Sequence, residues 1–239
     1  MTQSRALRRA RPVVAIDGPA GAGKSTVTRR VAEELGYLRV DTGALYRAVA
    51  WLSIERGLFL DDAERVGAVA RELAEPGALE MATEGESTLV RVLGQDVSTA
   101  IRSQSVGLAA SQVSQFPEVR AALLDMQRQL GCDGGVVLEG RDIGSVVFPD
   151  AEAKFFLTAS TRVRAERRRG ELAEKGNAPS LEEVEREVEE RDRRDSMRSV
   201  APLIRADDAV VVDSSELGID EVVRRIVEHV HQVEAELGS

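Results

Sequence analysis

The sequence predicts a three-layer α/β/α fold on a five-stranded parallel β-sheet. Short, almost continuously apolar segments alternate along the chain with longer segments of helical periodicity. Strands that are buried on both faces are typically apolar runs of this kind, and their alternation with helices indicates βαβ units and a parallel sheet. A chain of 239 residues, of which 43% are hydrophobic, is long enough to bury the core of one large α/β domain.

Five strands are predicted from the apolar runs. They cover residues 13–16, 38–40, 136–138, 154–157 and 209–212. Helices are predicted at residues 24–35, 43–56, 103–115, 117–130, 161–175, 180–197 and 218–237. Because ligands bind beyond the carboxyl ends of parallel strands, we expect the polar residues that follow the strands to gather at one edge of the sheet.

A glycine-rich segment connects the first strand to the first helix. Its residues are Gly18, Pro19, Ala20, Gly21, Ala22, Gly23, Lys24 and Ser25. They match G-x-x-x-x-G-K-[ST], in which glycines let backbone N–H groups surround a phosphate and the helix N-terminus adds its positive dipole end. Lys24 can reach the outer phosphates of a nucleoside triphosphate, and the Ser25 hydroxyl can bind Mg²⁺, with Thr26 as an alternative ligand. Asp17, just before the segment, could hold a metal-bound water or have a structural role.

Two regions depart from the regular alternation. Residues 79–81 and 89–93 flank a polar turn and predict a small antiparallel hairpin, which we interpret as an insertion. The helices at 161–175 and 180–197 carry many charges and few apolar residues. Such a pair buries little surface, which is typical of a mobile lid over an active site; a solvated, salt-bridged helix pair is the alternative.

The charge balance and the termini exclude several classes of protein. A net charge of −9 argues against general nucleic-acid binding, and no apolar run approaches the roughly 20 residues of a membrane span. Residues 1–11 contain four arginines but no apolar core of a secretory signal. We predict that they form a disordered basic tail, with an arm for nucleic acid or a partner as the alternative.

Arginines are concentrated in the segments expected near the ligand-binding edge. They are Arg47, Arg141, Arg162, Arg164, Arg167, Arg168, Arg169, Arg191, Arg194 and Arg198. Such a set suits phosphoryl transfer, because the transferring group spreads negative charge over its oxygens and is stabilised mainly by cations and by positioning. Closure of the lid would bring its arginines into the site and exclude water.

Five segments together resemble the bacterial cytidylate kinases, in the family's order from about residue 12 to residue 235. They are VAIDGPAGAGKST, VDTGALYRAVA, ASQVSQFPEVRAALLDMQR, EGRDIGSVVFPDAEAKFFLTAS and ERDRRDSMRSVAPL. The resemblance implies a P-loop NTPase fold and a nucleoside monophosphate kinase that transfers the γ-phosphoryl group of ATP to CMP or dCMP with Mg²⁺ as cofactor. It also implies one kinase domain at 12–239, with a monophosphate-binding region carrying the insert at about 61–130 and a lid at about 161–197.

The resemblance further implies roles for individual residues. The ATP-binding residues are Gly18, Pro19, Ala20, Gly21, Ala22, Gly23, Lys24, Ser25 and Thr26. The catalytic residues are Lys24, Arg141, Arg167, Arg168 and Arg191. The CMP-binding residues are Thr42, Tyr46, Arg47, Ser111, Arg120, Arg141, Asp142, Arg191, Asp195 and Arg198.

Within the CMP-binding set, the resemblance assigns the cytosine base to Ser111, Arg120 and Asp142. This assignment is chemically sensible, because a carboxylate can accept a hydrogen bond from cytosine N4 while a hydroxyl and a guanidinium donate to O2 and N3. Arg47, Arg141 and Arg191 are assigned to the CMP phosphate, and Asp195 and Arg198 to the sugar. Thr42 stands where many relatives have serine, and we expect its hydroxyl to keep the contact.

We therefore expect a cytoplasmic, monomeric enzyme that acts on the small molecules ATP and CMP or dCMP, without nucleic-acid or membrane partners. A related kinase with UMP, AMP or a small alcohol as acceptor is one alternative, and the cytosine-reading set argues against it. A nucleotide-binding switch that hydrolyses ATP slowly is another, and it would leave the phosphate-binding arginines unexplained.

Overall fold

The structure, a computed structural model, describes residues 9–84, 87–174, 176 and 179–238. Its strands are β1 (Val13–Asp17), β2 (Leu38–Asp41), β3 (Leu79–Glu84), β4 (Ser87–Val92), β5 (Gln95–Asp96), β6 (Val136–Gly140), β7 (Ala153–Thr158) and β8 (Val210–Asp213). Its α-helices are α1 (Lys24–Leu35), α2 (Gly43–Glu55), α3 (Ala63–Leu73), α4 (Gln104–Val113), α5 (Pro117–Gln129), α6 (Thr161–Glu174), α7 (Leu181–Ser196) and α8 (Ile219–Leu237).

Five strands form the central sheet, in the order β2-β6-β1-β7-β8, and all neighbours are parallel. The middle strand β1 is buried along its whole length, which explains why its sequence is apolar without alternation. The predicted five-stranded parallel sheet is therefore confirmed. Each predicted strand and helix is found, with ends that shift by no more than two residues.

Helices cover both faces of this sheet. On one face α1 and α8 pack on β1 and β7, and the buried side chains of α8 include Val222, Ile226 and Val230, spaced four residues apart. This spacing puts the three on one side of the helix. On the other face the turn after β6 packs on the sheet with α5. The arrangement gives the three α/β/α layers.

A second cluster of buried residues lies beside the sheet and joins α2, α3, α4 and α5 to the small strands β3 and β4. The predicted hairpin is confirmed as the antiparallel pair β3–β4, and the short strand β5 extends it to a three-stranded sheet. Residues 85–86 of its turn lie outside the described residues. Helix α3, whose N-cap Asp62 accepts a hydrogen bond from Arg65 N, is an element that the sequence analysis missed.

The two helices predicted to form a lid, α6 and α7, pack on each other with little apolar surface. Ala165 and Leu172 of α6 meet Val184 and Val188 of α7. Charged side chains contribute to their contact with the rest of the domain, through the Arg141–Asp195 ion pair and the hydrogen bond from Arg164 to Ala20 O. A capping box starts α7, in which the Ser180 hydroxyl accepts from Glu183 N at 3.2 Å and the Glu183 carboxylate accepts from Ser180 N at 2.9 Å.

The end of the predicted basic tail lies against the domain. Arg9 forms an ion pair with Asp150 at 2.8 Å, and the Arg11 guanidinium lies 4.2 Å from the centre of the Tyr37 ring. Residues 1–8 of the predicted tail lie outside the described residues. Across the described part of the chain, no helix is both long and apolar enough to cross a membrane.

The capping box should control the local stability of α7. We expect Ser180→Ala to weaken the first turn of α7 by about 1 kcal/mol, because the Glu183 N–H loses the hydroxyl that accepts its hydrogen bond. Hydrogen–deuterium exchange of residues 181–185 should accelerate about fivefold, while exchange in the central sheet stays unchanged. Ser180→Thr keeps the hydroxyl and serves as the control. Equal exchange in the Ala variant and the unchanged protein would contradict this role.

Candidate functional site

A cleft of about 390 Å³ opens at the carboxyl ends of the parallel strands. It is bounded by the loop between β1 and α1, by α4 and by the lid helices. The predicted site residues that line it are Ala20, Gly21, Gly23, Lys24, Ser25, Thr26, Thr42, Tyr46, Arg47, Ser111, Arg120, Arg141, Asp142, Arg168, Arg191, Asp195 and Arg198. The predicted residues that do not line it are Gly18, Pro19, Ala22 and Arg167.

The phosphate-binding loop is shaped by glycines that no other residue could replace without strain. Gly18 has a φ of +151°, and a Cβ there would lie 2.0 Å from the carbonyl oxygen of Leu157. Lys24 at the end of the loop is buried, and its Nζ donates to Gly18 O at 2.8 Å and to Pro19 O at 2.7 Å. Burial, with a further contribution from nearby Arg141, lowers the pKa of Lys24 well below its usual value.

The hydroxyl of Ser25 donates to the carboxylate of Glu139 at 2.7 Å. Glu139 lies near the end of β6, beside β1, and its side chain also lies 3.3 Å from Arg39. Burial and the neighbouring Asp41 raise the pKa of Glu139. Sequence reasoning missed Glu139, although its position near the carboxyl end of a central parallel strand was a usable signal.

Asp17 has a structural role in this fold. One carboxylate oxygen accepts from Ile143 N at 2.8 Å and the other from Gly144 N at 2.7 Å. Burial raises the pKa of Asp17 to about 6. Since both oxygens bind the backbone of the turn that follows Arg141 and Asp142, the carboxylate holds that turn next to the phosphate-binding loop.

The residues predicted to read a base come together at the far end of the cleft. Arg120 on α5 forms a buried ion pair and hydrogen bond with Asp142, and its guanidinium lies 5.3 Å from the centre of the Tyr46 ring. Ser111 on α4 is 4% exposed, and its hydroxyl has no hydrogen-bond partner within the described residues. Thr42, in contrast, donates its hydroxyl to Glu139 O at 2.8 Å.

Three guanidinium groups, those of Arg141, Arg191 and Arg198, surround the Asp195 carboxylate in the cleft, and Arg47 also lines the cleft. Arg141 Nε donates to Asp195 Oδ2 at 2.9 Å, and Arg198 Nε donates to Asp195 O at 3.1 Å. Burial and the charge of Arg141 lower the pKa of Arg191 to about 10. Burial also lowers the pKa of Arg47. Although burial opposes it, the charges of Arg141, Arg191 and Arg198 lower the pKa of Asp195.

Two of these guanidinium groups have buried nitrogen atoms without partners. Arg191 Nε and Arg198 Nη2 are inaccessible to solvent and form no hydrogen bond within the described residues. A buried polar atom without a partner is energetically unfavourable, so its presence in a cleft points to a ligand. The surplus of positive charge indicates that this ligand is an anion.

The two predicted lid arginines point to different places. Arg168 lines the cleft and pairs with Glu171 at 3.1 Å. Arg167 donates to Ser214 O at 2.8 Å and to Ala22 O at 3.3 Å. It therefore connects α6 to the loop and to the segment after β8. The sequence could not indicate this, because Ser214 is distant along the chain.

Several lining residues were not predicted from the sequence. They are Asp41, Gly43, Arg102, Ser103, Ala110, Ser114, Glu139, Gly140, Glu171, Glu187 and Val188. Asp41 and Gly140 were expected at this edge of the sheet from their positions at strand ends, although no role was assigned to them. Glu139, next to the end of β6, could have been found by the same rule. Arg102 and Ser103 reach the cleft because α4 begins there. The sequence predicts the start of this helix at residue 103, but not its position beside the cleft.

Comparison with known proteins gives the family of this chain. The family model described as cytidylate kinase matches residues 14–232. A cytidylate kinase from Citrifermentans bemidjiense is 49% identical over 218 residues, which cover 91% of this chain and 92% of the relative. A bifunctional pantoate ligase/cytidylate kinase from Synechococcus sp. (strain JA-3-3Ab) is 49% identical over 222 residues, which cover 91% of this chain. The chain spans 40% of the length of that bifunctional relative.

Among solved structures, a gluconokinase from Sinorhizobium meliloti 1021 aligns with 96% of this chain and 97% of its own, with a TM-score of 0.47 and 17% identity. The family model covers most of the chain, and the relatives named cytidylate kinase share about half of its residues. The chain belongs to the cytidylate kinase family.

Proposed function

We propose that this chain transfers the γ-phosphoryl group of ATP to CMP and dCMP, forming CDP and dCDP. The observation that carries the proposal is the set of residues that line one cleft. The glycine-rich loop lines one side, and guanidinium groups line the other; two of these have buried nitrogen atoms that find no partner in the part of the chain that the structure describes. Two anionic groups brought together in this way are what a phosphoryl transfer between nucleotides requires. The relatives' name, cytidylate kinase, supports cytosine as the acceptor base.

On the donor side, the loop N–H groups and Lys24 would bind the ATP phosphates. Lys24 now donates to the carbonyls of Gly18 and Pro19, and a phosphate would provide a stronger, charged acceptor for the same ammonium group. Burial, followed by the charge of Arg141, lowers the pKa of Lys24, although the Glu139 and Asp17 carboxylates oppose the shift. Arg168, which lines the cleft on α6, would approach the phosphates when the lid closes.

Mg²⁺ is the cofactor that the donor side suits. The Ser25 hydroxyl and the Glu139 carboxylate lie in contact, and oxygen atoms of this kind are the ligands that Mg²⁺ prefers. Within the described residues, no cluster of three or more His, Cys, Asp or Glu side chains could hold a metal alone. Mg²⁺ is commonly held by one or two protein groups together with phosphates, and when bound it neutralises charge on the β- and γ-phosphate oxygens.

On the acceptor side, Arg47, Arg141 and Arg191 would bind the CMP phosphate. Asp142, Arg120 and Ser111 would contact the base, and Asp195 and Arg198 the sugar. Asp142 matters most for specificity, because its carboxylate would accept from the cytosine amine but would face the carbonyl oxygen of uracil. Discrimination is strongest where the wrong substrate leaves buried polar groups unpaired.

The remaining expectations concern the context of the enzyme rather than the cleft. We propose a monomeric cytoplasmic enzyme without nucleic-acid partners, in line with the net charge of −9. The kinase domain would occupy residues 12–239, with the monophosphate-binding region at about 61–130 and the lid at about 161–197. Because the chain covers 40% of the bifunctional relative, nothing of the ligase activity in that relative's name is transferred to it.

An acceptor panel tests the proposal directly. We expect initial rates with Mg-ATP to be about 10²-fold or more higher on CMP and dCMP than on UMP and AMP, measured with a control that lacks an acceptor. Equal rates on all four acceptors would keep the kinase but reject the cytosine assignment. Loss of ATP that does not depend on any acceptor would reject the kinase and favour a nucleotide switch.

Removing the ammonium group of Lys24 should abolish transfer. We expect Lys24→Ala to lower kcat about 10³-fold or more, as loss of a phosphate-stabilising cation does. The melting temperature should not fall, because a buried ammonium group disfavours the fold. Arg56→Ala, which removes an exposed ion pair with Glu72, is the control and should keep full activity. Substantial activity in the Lys24 variant would reject its catalytic role.

Neutralising Asp142 should weaken the binding of the acceptor CMP and leave the binding of the donor ATP nearly unchanged. We expect Asp142→Asn to raise KM for CMP about 100-fold, with KM for ATP changed by less than about threefold. The matched control is Asp208→Asn, because Asp208 also pairs with a cation, Lys154 at 2.7 Å, but lies outside the cleft. A comparable rise of both KM values in the Asp142 variant would show that Asp142 does not read the base.

A further inference from the structure

Arg164, in the first turn of α6, is a buried arginine that the proposed chemistry does not use. It is 5% exposed and does not line the cleft. Its Nε donates to Ala159 O at 2.9 Å, and its Nη1 donates to Ala20 O in the phosphate-binding loop at 3.0 Å. The same Nη1 lies 2.6 Å from Oδ2 of Asp192 on α7. One side chain thus joins the loop to both lid helices.

The backbone of α6 also touches the loop at this point. Gly21 has a φ of +74°, and a Cβ on it would lie 2.8 Å from Arg164 O and 3.1 Å from Arg164 Cβ. The loop and the first turn of α6 are therefore in close contact, without space for one to move independently of the other. A change in the loop backbone would be passed to Arg164 through both contacts.

On the other side of Arg164, Asp192 belongs to the helix that carries the acceptor-binding residues. It directly follows Arg191 and precedes Asp195 by about one turn. The buried apolar residues of α7, Val184 and Val188, pack on α6. The C-terminal half of α7 is held through polar contacts instead, which include the ion pairs Arg164–Asp192 and Arg141–Asp195. A shift of Asp192 would therefore move Arg191 and Asp195 with it.

Binding of a triphosphate would change the hydrogen bonds of the loop. Lys24 Nζ donates to the carbonyls of Gly18 and Pro19, the two residues before Ala20. A phosphate that attracts the ammonium group would take the donor away from both carbonyls. The peptide groups next to Ala20 O, the acceptor of Arg164, would then lose the contacts that orient them.

We propose that Arg164 is a positioning residue that couples triphosphate binding in the loop to the placement of Arg191 and Asp195 at the acceptor site. The coupling runs from Lys24 through the loop backbone to Arg164 and then through Asp192 into α7. It rests on the proposed function, since it assigns the loop to the donor and α7 to the acceptor. Thermodynamic linkage requires the effect to be reciprocal, so that CMP must also tighten the binding of the triphosphate.

Calorimetric titration of the full chain measures this coupling. The dissociation constant of CMP is determined with and without a saturating non-hydrolysable ATP analogue and Mg²⁺. For the unchanged protein we expect the analogue to tighten CMP binding by about fivefold or more. In Asp192→Asn and in Arg164→Lys, which alter the ion pair and the Ala20 contact in different ways, we expect this ratio to fall below about twofold. CMP binding without the analogue should be little changed.

The matched control is the neighbouring pair Arg162–Glu166, also on α6 but exposed to solvent. Arg162→Lys and Glu166→Gln should keep the full ratio. A lowered melting temperature with an unchanged ratio in the Asp192 and Arg164 variants would make their role purely structural and overturn this inference alone. Absence of coupling in the unchanged protein would overturn it as well. Failure of the unchanged protein to bind CMP would overturn both this inference and the proposed function.

Discussion

The site depends on the bond between the Asp17 carboxylate and the two N–H groups of Ile143 and Gly144. Parallel pairing of β1 with β6 brings the phosphate-binding loop beside the turn that carries Arg141 and Asp142, and Asp17 fixes that turn in place. Its pKa of about 6, against 3.8 in the unfolded chain, makes the ionised form unfavourable by about 3 kcal/mol. This loss of stability sets in as the pH rises from about 4 to 6. Despite this loss of stability, the ionised carboxylate holds the loop and the turn side by side, where both line the cleft.

The guanidinium groups in the centre of the cleft also lower the stability of the fold. Arg47, Arg141 and Arg191 lie close enough to influence one another, and burial, with Arg141, already lowers the pKa of Arg191 to about 10. Asp195 compensates only part of this charge. A protein without an anionic ligand gains nothing from such an arrangement, because like charges in a partly buried cleft repel each other. An anion that enters the cleft therefore meets groups that are already in position and need little reorganisation.

The sequence was sufficient for the central sheet and insufficient for contacts between distant segments. Strands buried on both faces are apolar throughout, so β1, β6 and β7 could be recognised directly. Helix α3 was missed although residues 66, 69, 70 and 73 have helical spacing after a capping Asp62. The turn at 143–147 could not be predicted, because its shape depends on Asp17, more than a hundred residues earlier. Arg167 likewise had a recognisable position on the lid, but its contact with Ser214 was not encoded locally.

Contacts between distant segments determine how α6 and α7, the proposed lid, are attached to the domain. A lid held to the domain by a large apolar interface would open rarely, since burial contributes about 25 cal/mol per Å² of apolar surface. Here α6 and α7 share only a small apolar core of their own, and buried charged groups such as Arg164 and Asp195 connect them to the rest of the domain. Polar contacts of this kind depend on geometry and can exchange partners when a charged ligand arrives. If α6 and α7 form the proposed lid, polar contacts attach it to the domain, and these are the contacts that a nucleotide phosphate would be best able to rearrange.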